Sequence, residues 1–145
     1  MTYKYLQITD GLAPAQLQIA PSVGEWSVNE VLAHLRACND VWGDYYIRTI
    51  LSQDNPTIRA MNPRAWIKST NYLEQDFQPS LRAFTKQRRK LLAVLEPLPP
   101  PDWTRTNTLI GAGKPLQQTL ISHADGLARH ERAHLKQIER TLNDL

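Results

Sequence analysis

The sequence has few of the features that mark secreted or membrane proteins. It contains a single cysteine, Cys38, among 145 residues, which excludes an internal disulfide. No stretch approaches the ~18 consecutive apolar residues of a membrane-spanning helix, and the N-terminal MTYKYLQITD holds no apolar run of signal-peptide length. These absences predict a soluble protein of the reducing cytoplasm, without a membrane partner.

The sequence also lacks a strong excess of one charge. Its 17 basic and 14 acidic residues leave a net charge of +3. The one dense basic run, KQRRK at residues 86–90, falls in a helical pattern, so we interpret it as a solvated helix face. Aromatic residues do not alternate with basic ones as they do on surfaces that stack bases. We therefore predict no nucleic-acid partner.

The composition is that of one folded domain. Hydrophobic residues make up 41% and charged residues 21% of the chain, as in globular proteins, and 145 residues are too few for two domains. No internal repeat and no convincing strand alternation is present. We therefore predict a single all-α domain, residues 1–145, with long helices packed as a bundle.

A capping box marks the start of the first long helix. Ser27 is followed three residues later by Glu30, the arrangement that satisfies the free amides of a helix N-terminus. Inward-facing residues then recur at spacings of three and four, which is the period of a bundle-facing stripe. His34 is expected inside the bundle. The four tryptophans are expected to be structural, and Trp42 is the one that could also wall a pocket. The stripe consists of Val31, His34, Cys38, Val41 and Tyr45.

Two more long helices follow a long connection. Residues 53–70 hold two prolines and several turn formers, with room for one short helical turn. Pro79 fits the first turn of the next helix, which EPLPPPDW ends, and the last helix is predicted to start near Pro115. The inward stripes are Leu81, Phe84, Arg88, Leu91 and Leu95 in the first of these, and Leu116, Leu120, His123, Leu127, His130, His134 and Gln137 in the second.

Two histidines of the last helix are spaced to bind one ion. His130 and His134 lie four residues apart, on the same helix face and ~6 Å apart along the axis. His34 is the other histidine in an inward stripe of a different helix, so it is the candidate third ligand. His123, ~10 Å from His130 along the axis, is too far to share an ion with His134 and is expected to be a core or channel residue. Ordinary packing explains such a trio about as well as a metal site does.

Three neutral imidazoles with open positions for water suit zinc, nickel or another first-row divalent ion, and the ligand set alone does not choose among them.

Two other polar residues lie in the stripes. Arg88 either extends its guanidinium to solvent, the favoured interpretation, or is kept inside to contact a substrate or ligand. Gln137 either hydrogen-bonds a ligand imidazole or is simply exposed. Glu131 is expected to point sideways into water.

The segments GEWSVNEVLAHL (24–35) and HERAHLKQI (130–138) together resemble the DinB-like superfamily, the DinB/YfiT group of metal-binding bundles, over roughly residues 10–142. The family's first histidine falls on His34 and its final pair on His130 and His134. The resemblance implies an up-down-down-up four-helix bundle that holds a divalent metal ion. It also implies a small-molecule substrate and a metal-dependent reaction, with S-transfer to a low-molecular-weight thiol or hydrolysis as candidates.

An ion in an open three-histidine site lowers the pKa of a bound thiol or water. This chemistry favours a metal-dependent enzyme in which His34, His130 and His134 hold the ion; no residue is identified as a general base. The alternative is a non-catalytic, stress-related bundle that binds a metal or another ligand without turnover.

The start of the chain departs from the family pattern. Members usually begin with a helix of twenty or more residues, whereas the sequence before DGLAPAQL allows only a short helix at about residues 3–9, followed by a turn at APAQLQ. A short or incomplete first helix leaves an apolar stripe exposed. Three arrangements would cover this stripe: contact with a second copy of the chain, contact with the connection at residues 53–75, or a start of the chain that differs from that of its relatives.

We predict a homodimer that buries this stripe through a self-complementary twofold contact. Light scattering at micromolar concentration should report twice the 16.6 kDa mass of one chain. A 16.6 kDa monomer that unfolds with normal thermal cooperativity would contradict the prediction.

Overall fold

The computed structural model describes residues 12–144, so the short helix predicted at residues 3–9 lies outside them. The first long helical rod begins with α1, Val28–Cys38, continues through a π-helical segment, Asn39–Tyr45, and ends with α2, Tyr46–Ser52. As predicted, the side chain of the N-cap residue Ser27 accepts a hydrogen bond from the Glu30 amide, at 3.1 Å.

Two more rods complete the described framework. Helix α3, Pro63–Trp66, is a single turn in the long connection. Helix α4 spans Phe77–Leu95, with Pro79 in its first turn as predicted, and helix α5 spans Leu120–Asn143. The predicted turn at APAQLQ is a 3₁₀-helix, Pro14–Gln18. In the described part of the chain, no helix is long and apolar enough to cross a membrane.

All three rods contribute to two separate apolar clusters, one near each end of the bundle. The lower cluster comprises Leu17, Val28, Val31, Leu32, Leu35, Phe77, Leu81, Phe84, Leu135, Ile138 and Leu142. The upper cluster comprises Val41, Tyr46, Ile47, Ile50, Ile58, Leu91, Leu95, Leu120 and Leu127. The burial of these side chains is the main favourable contribution to the packing of the rods.

The clusters reveal the direction of each rod. Helices α1 and α4 both begin in the lower cluster, whereas α5 begins in the upper cluster and ends in the lower one. The first two rods are therefore parallel to each other and antiparallel to the third. Parallel neighbours require a connection that returns along the whole bundle, which explains why residues 53–76 form such a long link between α2 and α4.

A small sheet at the upper end was not predicted. Strand β1, Thr57–Arg59, pairs in parallel with β2, Thr106–Ile110, which pairs antiparallel with β3, Leu116–Thr119. The expectation of a chain without strands was wrong, because segments of three to five residues, rich in threonine and glutamine, are too short to show a period of two. The framework is nevertheless largely α-helical.

The last helix also starts later than predicted. The residues after Pro115 form β3, and α5 begins only at Leu120. Its N-cap is Thr119, whose side chain accepts a hydrogen bond from the Ser122 amide, while the Ser122 hydroxyl accepts one from the Thr119 amide. A serine in place of the usual glutamate or glutamine makes this capping box hard to recognise in the sequence.

The π-helical segment changes which tyrosine of the first stripe faces inward. Tyr45 was predicted to face inward, but it is 44% exposed, and Tyr46 is buried in its place at 2%. In this segment the Tyr46 amide donates to the Val41 carbonyl, five residues back, which widens the turn. The wider turn shifts the inward face by one residue, so the stripe continues through Tyr46 and Ile50.

Candidate metal centre

His34 lies on α1, next to Leu35 of the lower apolar cluster. Its side chain is 7% exposed. The ring lies against Trp26, with 5.0 Å between ring centres, and Cys38 Sγ is 3.4 Å from His34 Nε2. The stripe of α1 therefore places one imidazole in the interior, as the sequence predicted.

The structure brings all three predicted histidines together. On α5, the Nε2 atoms of His130 and His134 are 3.2 Å apart. The centre of the His34 ring is 5.4 Å from that of His130 and 4.9 Å from that of His134. One nitrogen from each ring lies within 4.8 Å of one from each of the others. Spacing along one helix and burial on another thus produce a convergent set of three imidazoles.

A hydrogen bond orients one of these rings. His134 Nδ1 lies 2.9 Å from Gln137 Oε1, one turn further along α5. Because an amide oxygen can only accept, Nδ1 carries the proton and donates, which leaves a lone pair on Nε2. That lone pair faces the other two histidines. Of the two interpretations of Gln137, a hydrogen bond to a clustered imidazole or simple exposure, the structure shows the hydrogen bond.

Burial favours the uncharged form of His34 and His130. The pKa of His34 is lowered from its ordinary 6.5 to about 4, first by desolvation and then by the nearby His134, His130 and Arg64. The pKa of His130 is also lowered, by burial and by His134. Neutral imidazoles have a free lone pair, which is the form that binds a metal ion.

The three rings fit a divalent cation. The opposed Nε2 atoms of His130 and His134 require either a proton or a cation between them, and His130 Nδ1 is buried without a partner among the described residues. Among the described residues, the group of ligand atoms that lie within 4.8 Å of one another consists of the three histidines, and Cys38 is not part of it. The donor set is three nitrogens, typical of zinc and other first-row divalent ions.

Two cavities open beside the histidines. One, of about 620 Å³, is largely polar and is lined by His134 and Gln137 together with Trp26 and Arg64. The other, of about 390 Å³, is lined by His130 and Trp42 among others. The cluster is thus reachable from two sides, and Trp42 lines a pocket as the sequence suggested.

His123 lies outside the cluster. Its Nε2 donates to the Trp42 carbonyl at 2.7 Å, and its ring lies 5.6 Å from that of Tyr46. The π-helical segment makes this bond available, because the Tyr46 amide, which would bond to the Trp42 carbonyl in a regular α-helix, bonds to Val41 instead. His123 therefore anchors α5 to the first rod and, like Trp42, lines the smaller cavity.

Arg88 and Glu131 form an ion pair between α4 and α5. The Arg88 side chain is 20% exposed, so it does not extend into solvent as the favoured interpretation predicted. The Glu131 side chain is 12% exposed, so the expectation that it points into water was wrong. Both residues line an apolar groove of about 530 Å³ that none of the three clustered histidines lines. A substrate or ligand contact by Arg88 remains a prediction.

Two residues near the histidines were not singled out from the sequence. The Trp26 ring stacks on His134 at 6.1 Å between centres, with 15° between the planes. The Arg64 guanidinium lies over the Trp26 ring, 5.0 Å from its centre. Trp26 directly precedes the Ser27 cap, which ties its position to α1, but nothing local to Arg64 predicts where the long connection will place it.

These features define a largely α-helical bundle in which three inward imidazoles from two antiparallel helices form a candidate metal site. The sequence model of the DinB superfamily matches residues 1–138, and the chain belongs to that superfamily. YfiT from Bacillus subtilis, described as a probable metal-dependent hydrolase with an unusual four-helix bundle topology, is similar in structure, with a TM-score of 0.70 and 25% sequence identity. The alignment covers 98% of this chain and 81% of YfiT. These findings confirm the predicted family and fold class; no functionally curated protein matches the chain.

The lowered histidine pKa values predict that the metal-free protein loses stability in acid. His34 binds its proton near its ordinary pKa of 6.5 in the unfolded chain, but only at about pH 4 in the folded one. Between these values the unfolded state holds more protons, so the free energy of unfolding decreases as the pH falls, by up to about 1.4 kcal/mol per pH unit for this histidine. Below about pH 4 this contribution is fully lost.

Urea denaturation of metal-free protein at a series of pH values from about 7 to about 4 would measure this dependence. A His34→Gln variant, whose side chain does not titrate, should show a shallower slope than the wild type over the same range. Equal slopes for the two proteins would contradict the prediction.

Proposed function

We propose that this protein is a divalent-metal-dependent enzyme acting on a small molecule, with His34, His130 and His134 as the metal ligands. The observation that carries the proposal is the convergence of three imidazoles, from two antiparallel helices, at a point between two cavities. A closed structural site would need a fourth protein ligand, and among the described residues the convergent group holds only the three histidines. Zinc and nickel are the ions we expect.

The ion would supply Lewis acidity and lower the pKa of a thiol or water that reaches it. The chain's own residues prepare the site. Gln137 holds the proton on His134 Nδ1 and thereby directs the Nε2 lone pair inward. Burial keeps His34 uncharged, and the Trp26 and Trp42 rings cover the imidazoles on two sides.

The nucleophile in this proposal comes from outside the chain. The only cysteine of the sequence, Cys38, is buried, with a thiol pKa of about 12, so it forms almost no thiolate at neutral pH. An external low-molecular-weight thiol would give S-transfer to an electrophile, and water would give hydrolysis. The description of YfiT as a probable metal-dependent hydrolase supports the second reaction, while the proposed cytoplasmic location suits reduced thiols.

Metal analysis tests the ligand assignment. Replacing His130 or His134 by alanine should reduce the metal content of protein purified without a histidine tag to near background, because two imidazoles bind a divalent ion far more weakly than three. His123→Ala is the matched control on the same helix. Its metal content should stay at the wild-type level, because His123 bonds to the Trp42 carbonyl. Full retention of metal by His134→Ala would refute the site.

Activity measurements test the reaction. Adding zinc or nickel to metal-free protein should restore either conjugation of a small thiol with a haloarene or epoxide, or hydrolysis of an ester or amide. His34→Ala should lower this rate roughly a hundredfold or more, at ~1.4 kcal/mol of barrier per tenfold, and it should still fold because Val31 and Leu35 continue to pack. If no member of such a panel turns over faster than with free metal, the protein is a non-catalytic metal-binding bundle.

A further inference from the structure

The larger cavity beside the histidines contains a cation, Arg64, that has no ion-pair partner among the described residues. Arg64 lines this cavity, of about 620 Å³, next to His134 and Gln137. Within residues 12–144, the Arg64 guanidinium has no hydrogen bond and no ion pair with a carboxylate; its one side-chain contact of this kind is with the Trp26 ring, 5.0 Å away. A guanidinium in a cavity without an acidic partner is available to bind an anion.

The backbone around Arg64 is firmly held. The Arg64 amide donates to Asn62 Oδ1 at 2.9 Å, which caps α3, and Pro63 is buried. At the other end of this turn, Trp66 Nε1 donates to Asp40 Oδ2 at 3.0 Å. The same oxygen accepts from the Tyr72 hydroxyl at 2.6 Å. These bonds fix α3 against the first rod, so Arg64 starts from a defined position over the cavity.

The guanidinium is close enough to the histidines to bind the same small molecule. Trp26 lies between them: its ring centre is 5.0 Å from the Arg64 Cζ and 5.0 Å from the centre of the His34 ring. The two groups are therefore at most about 10 Å apart.

The other charges of the cavity restrict the kind of anion. Arg140 adds a second guanidinium, while Glu25 and Asp144 add two carboxylates. These four charges sum to zero, and the cost of desolvating an ion rises with the square of its charge while its attraction to a guanidinium rises only in proportion, so a monoanion is favoured over a dianion such as a phosphate group. A carboxylate also matches the planar, two-pronged geometry of a guanidinium. The cavity therefore favours a monocarboxylate over a phosphate.

We propose that Arg64 binds the carboxylate of a small monocarboxylate substrate whose reacting group lies at the three histidines. The inference rests on the proposed function, because it uses the metal centre as the second point of attachment. It adds the substrate class and a specificity-determining residue in the long connection, remote in sequence from the histidines.

A matched pair of ligands tests the inference without relying on catalysis. Succinic acid monohydroxamate carries a metal-binding hydroxamate and a free carboxylate, and its methyl ester lacks only the negative charge. Calorimetric titration of zinc-loaded protein should show that the acid binds about tenfold more tightly than the ester, as expected for one charge-assisted hydrogen-bonded pair. Arg64→Ala should reduce this ratio to about one through loss of acid binding, with ester binding unchanged.

Three further variants sharpen the assignment. Arg64→Lys should retain part of the preference, because it keeps the charge and loses the two-pronged geometry. Arg82→Ala, an exposed arginine of α4 that does not line this cavity, should keep the full ratio. If Arg140→Ala rather than Arg64→Ala removes the preference, the assignment to Arg64 is overturned. Zinc content, measured for every variant, verifies that the metal centre is intact.

The result also separates this inference from the proposed function. If zinc-loaded wild-type protein binds the acid and the ester equally, the role of Arg64 is disproved and the metal centre stands. If zinc does not bind, or if neither hydroxamate binds the loaded protein, the open metal centre fails and the inference fails with it.

Discussion

Three imidazole rings whose nitrogens lie within 4.8 Å of one another can share the interior of a bundle only if their charges are controlled. Two protonated rings at this distance would repel each other strongly in a medium of low dielectric constant. The fold meets this constraint by burial, which lowers the pKa of both His34 and His130, while Gln137 orients the His134 ring by accepting from its Nδ1–H. The apolar clusters above and below provide the burial on which this depends.

The histidine cluster was predictable because it depends on helical periodicity. Spacings of three and four place His34, His130 and His134 on inward faces, and inward faces of antiparallel helices meet. The family resemblance then selected the same three residues. The Ser27 cap and the limits of α4 were equally readable, since both follow from residues adjacent in the sequence.

Features that depend on distant contacts were not predictable. Tyr46 rather than Tyr45 is buried because the π-helical segment shifts the inward face of the rod by one residue. No local residue pattern predicts this shift. Strand β1 pairs with a segment about fifty residues further along the chain, Thr57 with Thr108, and all three strands are too short to show a period of two. Glu131 turns inward because Arg88 of another helix is there to receive it, and the position of Arg64 depends on how the long connection folds back.

The buried apolar side chains form two clusters that share no residue, and each of the three rods contributes to both. Parts of a core that are weakly joined can open separately, and backbone amides then exchange with solvent at different rates. An ion held by His34, His130 and His134 would add bonds between α1 and α5, so that amide exchange in these two helices would slow together.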